Sequence, residues 1–389
     1  MELVREKIAQ VPAILKEHDI DVWLLFVRET QLQADPVLPL LIGNDVTWQS
    51  FFVYTRAGDA IALVGNFDQD IFTRSGCFSE VHTYVEGAEE SIRNLLEQLN
   101  PTTIAVNYSK DNPAADGLTH GMYLLLQDYL DSTPFARHLI SAAPVCTALR
   151  SRKTPTEIEH VARAAHIANE VWDTVHPKVM PGMSEIEIAR LIDTHMIHHC
   201  VMPSFDTIVN AGDKTSPGHG HPTGATIAAG DLLHIDFGVR YEGYCSDIQR
   251  LLYFHRPGER TVPQELSEAF LMVRDIITEC ATLCKPGTVG ADIDTHAREM
   301  LTEAAYPVYE HALGHQLGRA VHDGGAIIGP RWERYGDTPD IPLDENNLFT
   351  LELEIILPGI GCVGLEEDVC ITPNGAQFLC PRQMELTTR

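Results

Sequence analysis

Basic residues are scarce. Lys and Arg number 28 against 55 Asp and Glu, a formal net charge of −27. Nucleic acid and anionic membrane surfaces require a cationic footprint, so an excess of acid on this scale argues against both as partners. Long apolar runs are also missing. No stretch of 18 residues is apolar throughout, which leaves no candidate for a membrane-spanning helix. The start, Met1-Glu2-Leu3-Val4-Arg5-Glu6-Lys7, has no apolar segment of the signal-peptide kind. Nine cysteines occur, an odd number, and none form a CxxC pair. Without an export signal, the reading is a cytoplasmic protein with reduced thiols. Cys280 and Cys284 fall four apart in a helical pattern and read as packing residues. The first 150 residues hold no GxGxxG and no phosphate-binding loop, so that part carries no visible chemistry.

What is present suits two folded domains. Hydrophobic residues make up 44% of 389, enough to bury two cores. Residues 1–150 alternate helical and strand patterns. A helix is expected over Glu2 to Glu17, with strands at Val22 to Val27, Phe51 to Tyr54 and Ala60 to Val64. The last two are joined across Arg56-Ala57-Gly58-Asp59, a hairpin signal. Helical periodicity returns at Glu89 to Leu99 and at about Leu118 to Leu130, around a strand at Thr103 to Asn107. This predicts an α/β domain with a mixed sheet. A second domain, 151–389, opens on Thr154-Pro155-Thr156-Glu157, a capping box with proline in the first turn, and a long helix to about Lys178 should follow.

That second part repeats itself weakly. Lys178 to Gly182 and Lys285 to Gly287 each bring a Pro-Gly after a long helix and before a short one, with a β-rich stretch beyond. Two pseudo-symmetric halves around one site are expected. In the first half, the strand Leu232 to Phe237 carries Asp236, turns near Tyr241-Glu242-Gly243 and returns through Asp247. In the second, Phe349 to Glu352 turns at Pro358-Gly359-Ile360 and returns through Glu366. The midpoint of each pair of carboxylates falls within its turn, so each pair should face across a hairpin. Like charges opposite each other in an apolar hairpin repel. Two such pairs call for divalent metal. Histidine adds a nitrogen donor. Of 18 histidines, eleven lie from His195 to His322, and three fall among glycines in His311-Ala312-Leu313-Gly314-His315-Gln316-Leu317-Gly318-Arg319-Ala320-Val321-His322.

These residues resemble the pita-bread metallopeptidases, the family of methionine aminopeptidase, aminopeptidase P, prolidase and the non-metal creatinase. The matching segments are Asp236-Phe237-Gly238, Gly243-Tyr244-Cys245-Ser246-Asp247, His311-Ala312-Leu313-Gly314-His315, Phe349-Thr350-Leu351-Glu352 and Leu365-Glu366-Glu367-Asp368. The N-terminal part is similar to the α/β domain of creatinase, aminopeptidase P and prolidase. The resemblance implies an α+β pita-bread catalytic domain with pseudo-two-fold symmetry. It implies Asp236, Asp247, His315, Glu352 and Glu366 as ligands of two divalent ions, Mn²⁺ ahead of Co²⁺ or Zn²⁺, with Asp247 and Glu366 bridging. Glu352 would be the general base, and His219, His311 and His322 would line the pocket. His221 is the alternative to His219.

The activity so implied is cleavage of Xaa-Pro bonds in short proline-containing peptides, by a dipeptidase acting as a homodimer. Aminopeptidase P action on longer peptides is the alternative, as is a non-peptide C–N hydrolase of the creatinase or ectoine-hydrolase kind. Retention of all five ligands argues against a catalytically dead binding protein. Four positions depart from the family pattern: Glu352-Leu353-Glu354 replaces Glu-Pro-Gly, Gly364 replaces a common Arg, Ile356 a common Tyr, and His322-Asp323 the usual His-Glu. Glu354 is therefore a competing choice for the ligand given to Glu352.

Overall fold

In a computed structural model of the chain, residues 1–213 and 220–389 are described. They form two compact units, Met1–Arg150 and Ser151–Arg389. No helix among the described residues is long and apolar enough to cross a membrane.

The first unit is built on a six-stranded mixed sheet. Val22–Val27 pairs antiparallel with Ser50–Thr55, which pairs antiparallel with Ala60–Gly65. Glu80–Tyr84, Ile104–Val106 and Leu139–Ser141 complete the sheet in parallel pairings. Every residue of Val22–Val27 is buried. Alternation therefore serves two cores. Trp23 and Leu25 pack with Val11, Ile14 and Leu15 of the helix Glu2–Glu17. Val22, Leu24 and Phe26 pack with Ile92, Leu96 and Leu126 of the helices Glu89–Leu99 and His120–Leu130.

The second unit opens on the helix Pro155–Val175, closed at its start by a reciprocal Thr154/Glu157 capping box. A 3₁₀ turn, His176–Lys178, ends that helical stretch, so the expected length is reached by two kinds of turn. Ser184 and Glu187 cap the next helix, Glu185–His198, in the same way. The Pro-Gly repeat has a structural counterpart. Gly182 N donates to the Ile227 carbonyl (2.8 Å), and Ile227 N returns a bond to Met183 (3.0 Å). Gly287 N donates to the Leu343 carbonyl (2.7 Å), and Leu343 N returns one to Thr288 (2.9 Å). Both glycines have positive φ, 96° and 86°, a conformation that favours glycine. The two halves thus use one backbone device twice.

A main sheet joins the halves in the order Ile208–Ala211, Leu232–Phe237, Ile248–Tyr253, Gly361–Thr372, Leu348–Leu357. On one face, Leu351, Leu353, Leu365 and Val369 pack against Ile276, Ile277 and Leu301 of the helices Gln264–Leu283 and Gly290–Glu303. Period-two alternation sends their neighbours Glu352 and Glu366 to the other face.

Candidate metal centre

The second hairpin has the expected register. Glu352 pairs directly with Glu366 across Leu348–Leu357 and Gly361–Thr372. The first does not. Its turn is Glu242-Gly243, both with positive φ (48° and 80°), the pattern of a two-residue hairpin turn. This shifts the register by two residues, so Asp236 faces Gln249 rather than Asp247. A two-residue slip keeps the face, so Asp247 still lies on the side of Asp236, diagonally displaced. Gln249 in turn pairs with Glu366. One row therefore crosses four strands as Asp236, Gln249, Glu366, Glu352.

Backbone contacts fix the remaining donors. Gly314 lies so close to Leu348–Leu357 that a Cβ there would sit 2.0 Å from the Thr350 carbonyl oxygen. Only glycine permits that approach. It brings His315 to the site, with its N–H on Thr350 Oγ1 (3.3 Å). Gly238 is held to the same standard, since a Cβ would meet Ser246 O at 1.8 Å. The Asp247 N–H donates to Asp368, which is buried beneath it (3.1 and 3.3 Å).

The side chains converge. His315 Nε2 lies 3.8 Å from Asp247 Oδ2, 3.7 Å from Glu352 Oε1 and 3.9 Å from Glu366 Oε1. Ligand atoms of Asp247, His315 and Glu366 all fall within 4.8 Å of one another. Asp236 Oδ1, Asp247 Oδ1 and Glu366 Oε1 are buried with no hydrogen-bond partner among the described residues. Orphaned carboxylate oxygens at this depth are expensive unless something cationic sits among them. Burial, together with the charge of Glu352, pushes the Asp236 carboxyl up to about 7. Burial also pushes Glu352 up to about 7, against the pull of His311. Asp247 and Glu366 are driven well above the carboxylate range by burial and by their acidic neighbours. Burial and nearby His322 hold His315 down to about 3, so it is a neutral imidazole with a free lone pair. Four crowded carboxyls and a neutral imidazole are the donor set that a divalent cation fits.

The other expected residues divide. His311 Nε2 contacts Glu354 at 2.5 Å. Burial opposes its charge, but that bond and the charges of Glu352 and Glu354 raise His311 to about 9. Glu354 is thereby paired with His311, while Glu352 faces His315. The exposed His322 ring packs edge-on to His315 at 4.4 Å. His219 lies outside the described residues. His221 is exposed and paired with Asp206 at 3.5 Å. Sequence reasoning missed Gln249 and His234. The one available signal was their position: His234 precedes Asp236 by two, and Gln249 follows Asp247 by two, the strand period.

A model for metallopeptidase family M24 matches residues 159–373, more than half of the chain and the span holding all five expected ligands. The chain belongs to metallopeptidase family M24. Among curated relatives, the Xaa-Pro dipeptidase of Pyrococcus furiosus is 33% identical over 240 residues, covering 61% of this chain and 65% of that one. The matched segment thus spans just under two thirds of that relative. The solved Xaa-Pro dipeptidase from Bacillus anthracis aligns over 99% of both chains at TM-score 0.78 and 24% identity. The X-Pro aminopeptidase from Thermotoga maritima aligns over 98% of this chain and 99% of that one at TM-score 0.75 and 24% identity. At that identity the likeness is one of fold, and it matches the pita-bread architecture of the family.

Proposed function

We propose that the protein is a metal-dependent Xaa-Pro dipeptidase, a cytoplasmic homodimer acting on short proline-containing peptides. In this reading 1–150 is the N-terminal domain and 151–389 the catalytic one. The observation that carries it is the convergence of Asp236, Asp247, His315, Glu352 and Glu366 on one sheet face, with buried carboxylate oxygens that have no hydrogen-bond partner among the described residues. Identity of 33% to a relative named Xaa-Pro dipeptidase supports the substrate class.

These five residues would hold two divalent ions, Mn²⁺ ahead of Co²⁺ or Zn²⁺, shared through Asp247 and Glu366. Bound there, the ions would polarise the scissile carbonyl and provide a nucleophile from water near neutral pH. Glu352 presents Oε1 on the His315 side and is the proton acceptor. His311, kept cationic by Glu354, together with His322 and His219, orients the substrate carbonyl and stabilises negative charge on its oxygen.

A dipeptide also presents a free carboxylate, which calls for a cation. Arg331 already meets Asp292 and Asp340. Arg319 is held by the Glu242 carbonyl and the Tyr244 ring. Arg334 is held by the Glu310 carbonyl and the Trp332 and Tyr335 rings. Neither makes an ion pair with a carboxylate among the described residues, so these two, alongside His219, His221 and His322, are the candidates we put forward for that task.

The test compares an Xaa-Pro dipeptide, its C-terminal amide, an Xaa-Pro tripeptide and creatine, with protein stripped by chelator and then reloaded with Mn²⁺. The dipeptide alone should be cleaved well, and only by reloaded protein. Equal rates on dipeptide, amide and tripeptide would replace the dipeptidase by an aminopeptidase. Full activity in protein shown metal-free by elemental analysis would remove the metal from the mechanism.

A further inference from the structure

At the centre of the row Asp236, Gln249, Glu366, Glu352 stands a neutral amide among three carboxyls. Gln249 is buried. Its Nε2 lies 2.9 Å from Glu366 Oε2 and 3.3 Å from Glu352 Oε2. Its Oε1 lies 2.9 Å from His234 Nε2. His234 Nδ1 in turn lies 3.1 Å from Asn210 Nδ2. The direction of this chain follows from the groups themselves. An amide nitrogen only donates, so Nδ1 of His234 accepts and its proton sits on Nε2. Nε2 then donates to Gln249 Oε1, which leaves the Gln249 NH₂ facing the glutamates. The reversed amide would press a carbonyl oxygen against two carboxylates. Donation therefore runs one way: Asn210, His234, Gln249, then Glu366 and Glu352.

Position 364 belongs to the same device. A Cβ there would lie 2.7 Å from Gln249 Oε1 and 2.9 Å from His234 Nε2. Glycine at 364 is what lets the His234–Gln249 bond form. The position where the family pattern commonly has Arg thus gives room to an uncharged relay.

We propose that Gln249 is a positioning residue for the metal centre. Its NH₂ clamps Oε2 of both Glu352 and Glu366, and this leaves Oε1 of each turned toward His315, where both are observed. The clamp joins two carboxylates that would otherwise repel across the hairpin, so the cation meets ligands already aimed. His234, Asn210 and Gly364 act through Gln249 and touch nothing that reacts. The inference rests on the reading of this cluster as a divalent-metal site, and not on the choice of peptide substrate.

The test is Mn²⁺ binding to chelator-stripped protein by isothermal titration calorimetry, for wild type, Gln249→Ala, Gly364→Ala and the double variant. Loss of a group that orients metal ligands typically weakens binding by about 10- to 100-fold, and Gln249→Ala should fall in that range. Gly364→Ala keeps every ligand and Gln249 itself, and should weaken binding in the same direction by displacing the His234 bond. In the Gln249→Ala background it should change affinity by less than about twofold, because there is no longer a relay to break. A merely structural role predicts the opposite: equal effects of Gly364→Ala in both backgrounds, or altered melting with unaltered Mn²⁺ affinity. Either result overturns the proposal. Gly364→Ala keeps the test open if Gln249→Ala fails to fold. Wild type that binds no divalent ion overturns this proposal and the metal reading together. Wild type that binds Mn²⁺ but cleaves no Xaa-Pro peptide overturns the substrate alone, and Gln249 is still judged by the affinity ratios.

Discussion

Removing metal should make this protein's stability fall as pH rises toward neutral. Asp236 stands at about 7 in the folded chain against an ordinary carboxyl value of 3.8, and Glu352 at about 7 against 4.5. An acid whose folded pKa is raised keeps its proton when the unfolded chain has lost it. Its contribution is present in full below the unfolded value and is lost as pH rises through the folded one. Between about pH 5.5 and 8, two such carboxyls remove on the order of 4 kcal/mol, at about 1.36 kcal/mol per unit each. Asp247 and Glu366 shift the same way. His311, raised to about 9, also loses its contribution as pH climbs above the ordinary histidine value of 6.5. His315, lowered to about 3, works in the opposite sense. Its contribution is lost as pH falls below 6.5, so it returns about 1 kcal/mol on going from pH 5.5 to 6.5. For a cooperative unit of this size each kcal/mol moves Tm by about 2–4 °C, so the metal-free protein should melt on the order of 10 °C lower at pH 8 than at pH 5.5. Saturating Mn²⁺ should recover most of that at pH 8 and much less at pH 5.5, since it binds only the folded, deprotonated site. Circular dichroism melts of stripped and reloaded protein across this range are the assay. Asp236→Asn, which deletes one of the titrating groups, should flatten the metal-free slope. A stripped protein equally stable at both pH values, or an Asp236→Asn slope matching wild type, would mean that these carboxyls do not hold their protons in the folded chain.

Other outcomes are equally specific. Glu352→Gln should lower kcat by on the order of 10²-fold or more on an Xaa-Pro dipeptide, while Glu354→Gln should be milder and act through His311. The reverse ranking would place the ligand at 354. Gly238→Ala puts a Cβ 1.8 Å from the Ser246 carbonyl oxygen, backbone against backbone. It should destabilise the protein by more than about 2 kcal/mol in urea unfolding, and a change under about 0.5 kcal/mol would mean the strand can bend away. Thr154→Ala removes one side of a capping box and should cost about 1 kcal/mol in the same assay, with kcat unchanged.

Features set by local chemistry were legible in the residue order alone. Helix starts were readable because Thr154-Pro155 and Ser184 with Glu187 satisfy their own backbone donors over three residues. The strand Val22–Val27 was readable because it is apolar on both faces. The hairpin Leu348–Leu357 with Gly361–Thr372 was readable in register because its Pro358-Gly359 turn sits at the centre of the carboxylate spacing. The first hairpin shows the limit. The spacing of Asp236 and Asp247 centres its turn between Tyr241 and Glu242, one residue before the Glu242-Gly243 turn that forms. The register was decided by left-handed backbone at Glu242 and Gly243 and by close approach at Gly238, which are matters of tertiary geometry. That two-residue slip is what puts Gln249, rather than Asp247, opposite Asp236 and beside Glu366. The pairing of His311 with Glu354, 43 residues on, was equally beyond local pattern. So was the room that Gly364 leaves for His234 and Gln249. Residue types and strand period select which side chains can reach one face, but their partners across the sheet are set only when distant strands fix each other's register.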